Sequence, residues 1–185
     1  GNLLGQGVGA RQLTELISHL NDVLTEHLVA IVAAAHRIDL KQGCWLAFGS
    51  EGRSEQTVAT DQDNGIVFAS DDADRDRPAW LAFAREVNEA LDACGYPLCK
   101  GNVMASNPAC CLTQAEWMAR FADWIDHGAP EDLLNASIYF DFRPLAGAAA
   151  LTEPMRALVA REAARNARFM KQMADNALRN RPPLT

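Results

Sequence analysis

The chain has 185 residues, of which 49% are hydrophobic, and it carries a formal net charge of −7. This length suits one domain, or one domain with a helical appendage, and the apolar content excludes an intrinsically disordered chain. The acidic balance disfavours a general nucleic-acid binder, because such a protein normally presents a basic face.

The first predicted element is a long amphipathic helix that begins at Arg11 and ends near Asp39. Its apolar residues recur at three- and four-residue spacing, the period of a helix with one apolar face. They are Leu13, Leu16, Ile17, Leu20, Val23, Leu24, Leu28, Ile31, Val32 and Ala35. This stripe could pack on a sheet or on a partner, and a homodimer is one possibility.

Two apolar runs with a polar segment between them follow this helix. Cys44–Phe48 and Ile66–Ala69 read as strands, and Gly49 and Ser50 come directly after the first of them. Because Gly has no Cβ, a Gly-Ser turn lets the backbone approach a phosphate closely, and the Ser hydroxyl adds a donor. If residues 51–58 start a short helix, its free N–H groups also point at that phosphate.

The polar segment ends in two aspartates, Asp61 and Asp63. On an extended backbone, carboxylates two positions apart face the same side. Mg²⁺ and Mn²⁺ prefer oxygen ligands, and Mg²⁺ usually takes one or two carboxylates together with substrate phosphates. Two metals about 4 Å apart could then stabilise the attacking and leaving oxygens of a phosphoryl transfer. Together with the Gly-Ser turn, this pattern favours a phosphate and a divalent metal held side by side.

The same segment has plainer interpretations. Asn64-Gly65 between apolar runs is a strong hairpin-turn signal, so the aspartates could be turn residues. A calcium loop is excluded, because the required Gly stands fifth instead of sixth and no Glu closes the loop. Arg53 could hold a phosphate with two donors, and we place it with Glu55 among the nucleotide-binding candidates. An Arg53–Glu55 surface pair is the alternative.

The middle of the chain alternates helix and strand signals, which predicts an α/β sheet with helices packed on it. Asp76 is the predicted N-cap of a helix that has Pro78 in its first turn and ends near Gly95. After it, Lys100 precedes Gly101-Asn102 and could place a point charge on a triphosphate. An ordinary Gly-Asn turn with an exposed lysine is the simpler interpretation of these residues alone.

The C-terminal third contains a polar residue inside an apolar pattern. Thr113 and Glu116 form a capping box for a helix. Further on, the alternation in 137–143 predicts a strand with Asp141 and Arg143 on one face. A lone Asp inside a strand is disfavoured by propensity and is easier to explain if it serves a site; a salt bridge to Arg143 or another basic residue is the alternative. A single helix from Thr152 onward is predicted to close the chain.

Other features of the sequence concern the cellular compartment, zinc binding, membrane spans and the extent of the chain. The cysteines, at 44, 94, 99, 110 and 111, are odd in number and follow no secretory signal, so we expect reduced thiols in the cytoplasm. Their spacing disfavours a zinc site. No apolar run approaches the roughly 20 residues that cross a membrane. The chain opens with Gly1, and we interpret it as a piece of a longer protein.

The residues described so far carry a family resemblance. Gly49-Ser50, a ten-residue gap and Asp61-x-Asp63 resemble the signature of the DNA-polymerase-beta-type nucleotidyltransferase superfamily. The fuller run, with Gly-Ser-Glu-Gly-Arg-Ser-Glu-Gln and Thr-Asp-Gln-Asp-Asn, looks like the nucleotidyltransferases attached to CBS and cyclic-nucleotide-binding domains in bacterial signalling proteins. Those are similar to PII-protein uridylyltransferases. The resemblance includes 101–108 and 139–144. One departure is Gln62, since the superfamily usually has an apolar residue there.

The resemblance implies a nucleotidyltransferase-like mixed sheet flanked by helices, with a long N-terminal helix and a helical C-terminal part. It divides the chain into an N-terminal helical segment at 1–40, a core at 41–128 and the start of a helical substrate-binding region at 129–185. In the superfamily a third carboxylate comes from a later strand, and Asp141 is the candidate. The implied catalytic and metal-binding set is Asp61, Asp63 and Asp141, and the implied nucleotide-binding set is Gly49, Ser50, Arg53, Glu55 and Lys100.

We therefore expect a Mg²⁺- or Mn²⁺-dependent transfer of a nucleoside monophosphate from a nucleoside triphosphate to an acceptor hydroxyl, which could lie on a protein. Attached CBS or cyclic-nucleotide-binding domains would lie outside this chain. One rival is a non-catalytic nucleotide-sensing or docking module. Another is a helix-mediated interaction protein whose aspartates are only turn residues.

Overall fold

The computed structural model describes residues 7–49 and 61–179. Ser50, Arg53, Glu55 and the helix predicted at 51–58 lie outside these residues. The helices are α1 (Gly7–His36), α2 (Ala73–Ala93), α3 (Gln114–His127), α4 (Pro130–Phe140), α5 (Glu153–Arg165) and α6 (Ala167–Arg179). The strands are β1 (Gly43–Ala47), β2 (Asn64–Phe68), β3 (Cys111–Thr113) and β4 (Arg143–Gly147). Short 3₁₀ turns at Pro108–Cys110 and Ala149–Thr152 precede β3 and α5.

The strands form one mixed sheet in the order β3-β2-β1-β4. β1 lies antiparallel to both β2 and β4, and β3 runs parallel to β2. Successive side chains of a strand point to opposite faces, so the two faces bury different sets. Trp45 and Phe68 pack with residues of α1 and α2, whereas Leu46 and Val67 pack with residues of α3 and α5. The predicted mixed sheet with flanking helices is confirmed.

The sheet joins parts of the chain that are far apart in sequence. β4, at Arg143–Gly147, pairs with β1, which lies about a hundred residues earlier. Residues on both sides of position 128, the predicted end of the core, therefore share one sheet. The division of the chain into domains remains a prediction.

α1 contacts the rest of the fold through polar residues as well as through the buried Val29, Val32 and Ala33. Arg143 of β4 donates from both terminal nitrogens to Asp22, at 3.0 Å each. Ser18 and Thr25 are buried, while Leu20 and Ile31 are 56% and 65% exposed. The predicted apolar stripe is thus only partly covered by the described residues. By length and composition, α1 could cross a membrane, although a third of the relevant window is buried and core helices pass the same test.

The predicted strand at 137–143 is wrong. Its first part belongs to α4, and β4 starts only at Arg143. Pro130 occupies the first turn of α4, where its missing N–H costs nothing, and the buried Leu133 and Ala136 stand three apart on the inner face. Alternation in the aromatic run was therefore misleading, because the burial period of this segment is helical.

Two other boundaries differ from prediction. α2 is capped by Asp72, whose side chain accepts the N–H of Arg75, so Asp76 lies inside its first turn. The closing helix is two helices, because Asn166 adopts an extended conformation between them. Its side chain accepts the N–H of Phe169, a backbone donor at the start of α6. It also donates to the carbonyl of Ile125, which links the start of α6 to α3. By contrast, the predicted capping box of Thr113 and Glu116 is confirmed.

Candidate active site

Three chain segments meet at one edge of the sheet, by which we mean the side where β1 ends and where β2 and β4 begin. Ala47, at the end of β1, pairs with Asn64, the first residue of β2, and with Arg143, the first residue of β4. Asp63 directly precedes β2, and Asp141 stands two residues before β4. Both aspartates therefore lie at the edge where β1 ends, on either side of that strand.

Gly49 lies at this same edge, close to α4 and to Asp63. Its φ is +57°, a left-handed conformation that L side chains rarely adopt. A Cβ at this position would lie 2.7 Å from Cγ1 of Ile138 and 3.4 Å from Oδ2 of Asp63. Only a residue without a side chain brings the backbone this close to both α4 and the carboxylate. The approach of a phosphate to this turn stays a prediction.

Asp63 is a half-buried carboxylate in an unfavourable electrostatic position. Burial raises its pKa to about 6, a hydrogen bond from Cys99 lowers it, and the nearby charge of Asp61 raises it. The thiol of Cys99 donates to Oδ1 over 3.4 Å. A bound cation would offset both the desolvation and the repulsion.

The backbone around Asp61 and Asp63 rules out the hairpin interpretation. Asn64 and Gly65 are the first residues of β2, not the centre of a turn. The N–H of Phe48 donates to the carbonyl of Asp63 at 3.0 Å, so the sheet holds the aspartate segment against the end of β1. Asp61 and Asp63 are half-buried, whereas Gln62 and Asn64, between and after them, are buried.

The remaining predicted residues are less tightly placed. Asp141 is exposed and forms the C-terminal cap of α4 instead of lying within a strand. Lys100 is exposed in a turn and directly follows Cys99, the residue that contacts Asp63. Among the described residues, no three His, Cys, Asp or Glu side chains form a group that could hold a metal ion. The fold thus brings Asp61, Asp63 and Gly49 together, and places Asp141 at the same edge.

The aspartate pair fits a hard divalent metal. Mg²⁺ usually retains water and takes one or two carboxylates together with substrate phosphates, so a third protein ligand is not required. The donors here are carboxylate oxygens, and burial together with the nearby charge of Asp61 disfavours the ionised form of Asp63.

Sequence reasoning missed two residues close to this edge. Cys99 contacts Asp63, yet a cysteine in a loop carries no signal that it lies beside a carboxylate 36 positions earlier. Asn88 is 1% exposed and lies on the buried face of α2 with Val87 and Leu91. A polar residue inside an apolar helical stripe is a signal that could have been noticed.

Comparison with known proteins gives one match. The family model described as Putative nucleotidyltransferase DUF294 matches residues 1–131. No curated protein matches the chain. The matched range includes both aspartates, Gly49 and the loop that carries Cys99.

Proposed function

The chain belongs to the nucleotidyltransferase family DUF294, and we propose that it transfers a nucleoside monophosphate to an acceptor hydroxyl in a reaction that depends on Mg²⁺ or Mn²⁺. The family implies nucleotidyl transfer with a nucleoside triphosphate as substrate. The observation that carries the metal dependence is the half-buried Asp63 beside Asp61 and the Gly49 backbone.

In this proposal the acceptor oxygen forms a bond to the α-phosphorus while the bond to the bridging oxygen of pyrophosphate breaks. Asp61 and Asp63 hold the metal, which when bound neutralises the charge of the triphosphate. Gly49 would let a phosphate approach the backbone, and the sequence offers Ser50, Arg53 and Glu55 as further nucleotide-binding residues. Lys100 lies in the loop next to Cys99 and adds a positive charge. Pyrophosphate leaves with the electron pair of the broken bond.

Asp141 has two possible roles in this reaction. It lies at the same edge of the sheet as Asp63 and is exposed. As a base it would accept the proton that the acceptor hydroxyl loses; alternatively it would join the metal ligands once substrate is bound. We favour a protein as the acceptor, by similarity to PII-protein uridylyltransferases, and a role in bacterial signal transduction in the cytoplasm beside attached CBS or cyclic-nucleotide-binding domains.

One observation favours a second candidate, a non-catalytic nucleotide-sensing module. Within 7–49 and 61–179, no group of three His, Cys, Asp or Glu side chains gathers that could hold a metal ion. A pair suffices to bind a metal–nucleotide complex, whereas transfer also requires removal of a proton from the acceptor. The two candidates therefore differ at Asp141.

The test is a calorimetric titration of ATP, UTP, CTP and GTP into the chain with Mg²⁺ and with EDTA, followed by a pyrophosphate-release assay with the nucleotide that binds. We expect one nucleotide to bind only with metal and then to release pyrophosphate. Metal-dependent binding without release, in wild type and Asp141→Asn alike, would establish the sensing module. Binding that is unchanged in EDTA would overturn the metal dependence.

A further inference from the structure

A cluster of buried amide side chains lies directly behind the two aspartates. Gln62, Asn64 and Asn88 are 2%, 1% and 1% exposed. The Asn88 amide donates to Gln62 Oε1 and to Asn64 Oδ1, at 2.9 Å each. The Gln62 amide donates to the backbone carbonyls of Asn88 and Tyr96, also at 2.9 Å each. We call these three side chains the amide cluster.

Within the amide cluster, Gln62 uses its hydrogen-bonding capacity fully. Gln62 accepts from both Asn64 and Asn88 and donates twice, so all four of its hydrogen-bonding positions are occupied. A buried amide whose hydrogen bonds are all made is held in one arrangement, whereas one that loses a partner is costly. The segment that carries the aspartates is therefore tied firmly to α2.

The same cluster also holds the loop at 96–106. The loop N–H groups of Ala105 and Ser106 donate to the side-chain oxygens of Asn64 and Asn88, at 2.9 Å and 3.1 Å. Two backbone hydrogen bonds run in the opposite direction. The N–H of Gln62 donates to the carbonyl of Pro97 at 2.9 Å, and the N–H of Asn64 donates to the carbonyl of Val103 at 3.1 Å. This loop carries Cys99, which contacts Asp63, and Lys100.

Alternation along the chain links the amide cluster to the aspartates. Gln62 and Asn64 are buried toward α2 and the loop, while Asp61 and Asp63, which alternate with them, are half-buried. The carbonyl of Asp63 accepts from Phe48 beyond β1, and the N–H groups of Gln62 and Asn64 donate to the loop. The backbone from Gln62 to Asn64, which carries Asp63, is thus held by hydrogen bonds on both sides.

We propose that Gln62 and Asn88 are positioning residues, which hold Asp61, Asp63 and the 96–106 loop in the geometry that binds the divalent metal. This inference rests on the proposed function. An apolar residue in place of Gln62 could fill the same space, but it would release the Tyr96 carbonyl and leave the amide of Asn88 without one acceptor. Partners behind metal ligands typically contribute about 10- to 100-fold to metal affinity.

The experiment measures Mn²⁺ binding by electron paramagnetic resonance in wild type, Gln62→Met and Asn88→Ala. Met has the length of Gln without its donors, and Asn88→Ala serves if Gln62→Met does not fold. The control is Val87→Ala, which removes a fully buried side chain of the same helix outside the amide cluster. Thermal unfolding and hydrogen exchange of residues 103–106 are measured on every variant.

We expect Mn²⁺ affinity about 10- to 100-fold lower in Gln62→Met and Asn88→Ala, with faster exchange at Ala105 and Ser106. Val87→Ala should lose stability while keeping wild-type affinity. Folded cluster variants with wild-type affinity would overturn the positioning role, and so would an equal loss in Val87→Ala. Wild-type binding that is absent, or that persists in Asp63→Asn, would overturn the proposed function itself.

Discussion

Two groups of aspartates flank β2, and the fold gives them opposite electrostatic environments. Before the strand, Asp63 is half-buried beside Asp61, and its pKa rises to about 6 through burial and repulsion. After the strand, Asp76 is partly exposed at the start of α2, and hydrogen bonds from Arg75 and then Ser70 lower its pKa to about 2. The same residue type is costly to ionise at one end of a strand and easily ionised at the other.

The second group serves structure. Arg75 donates to Asp76 at 3.0 Å and to Asp71 at 2.8 Å, while Asp72 caps α2 by accepting the Arg75 N–H at 3.2 Å. Acidic residues near a helix start also complement its dipole. A cavity of about 560 Å³ lies beside these residues, at the far end of the sheet from Asp63. The comparison shows that a count of acidic residues does not locate a metal site, because neutralised and desolvated carboxylates look alike in sequence.

The largest expected effect is on nucleotide transfer, and it should distinguish the two groups of aspartates. Asp63→Asn should reduce metal-dependent nucleotide transfer by about 10²- to 10³-fold, the loss typical of removing one preorganised electrostatic group. Asp71→Asn, whose side chain is 90% exposed, should leave transfer at the wild-type rate. The measurement is pyrophosphate release at saturating Mg²⁺. Equal losses in the two variants would contradict the distinction between the groups.

A smaller effect, on stability and on Mn²⁺ binding, is expected where the Gly49 backbone lies close to Ile138 and Asp63. Gly95→Ala introduces a Cβ at φ +100° with nothing within 4 Å, so only backbone strain of about 1–2 kcal/mol is expected. Gly49→Ala adds a clash with Ile138, and crowding of this kind costs roughly a further 1–3 kcal/mol. Urea denaturation measures both. Only Gly49→Ala should also weaken Mn²⁺ binding, because its Cβ approaches Asp63; equal stability and equal binding in the two variants would refute the close approach.

The smallest expected effect is on the pKa of Asp76, which Arg75 lowers. Because the pKa of Asp76 is lower in the fold than its ordinary value of 3.8, the pair stabilises the fold above that pH. This contribution is lost as the pH falls through about 2. The carboxyl titration, followed by nuclear magnetic resonance, should move toward the ordinary value in Arg75→Gln and in 1 M salt, since exposed pairs are screened. A titration that neither change moves would show that Arg75 is not the cause.

Much of the local structure was predictable. The capping box of Thr113 and Glu116 needs only two residues three positions apart, and it is present. β1 and β2 lie within one or two residues of their predicted bounds, because buried apolar runs bounded by turn residues are strong strand signals. The resemblance to nucleotidyltransferases is supported by the family match.

Other features could not be predicted from local patterns. In 137–143 the apolar alternation and the helical period compete, and contacts of Leu133 and Ala136 in the core decide for the helix. Asn166 divides the closing helix because its side chain finds a carbonyl in α3, 41 residues away. Such choices depend on partners that a sequence window does not contain.

By itself, then, the sequence determined which residues are apolar, that Thr113 and Glu116 cap a helix and that Asp61 and Asp63 precede a strand. Only the tertiary structure decided that Asp63 is desolvated beside Gly49 and Cys99, and that Gln62 is satisfied by Asn88. The physical reason is that burial and hydrogen bonding are properties of neighbours in space, and these neighbours lie 14 to 36 positions away along the chain.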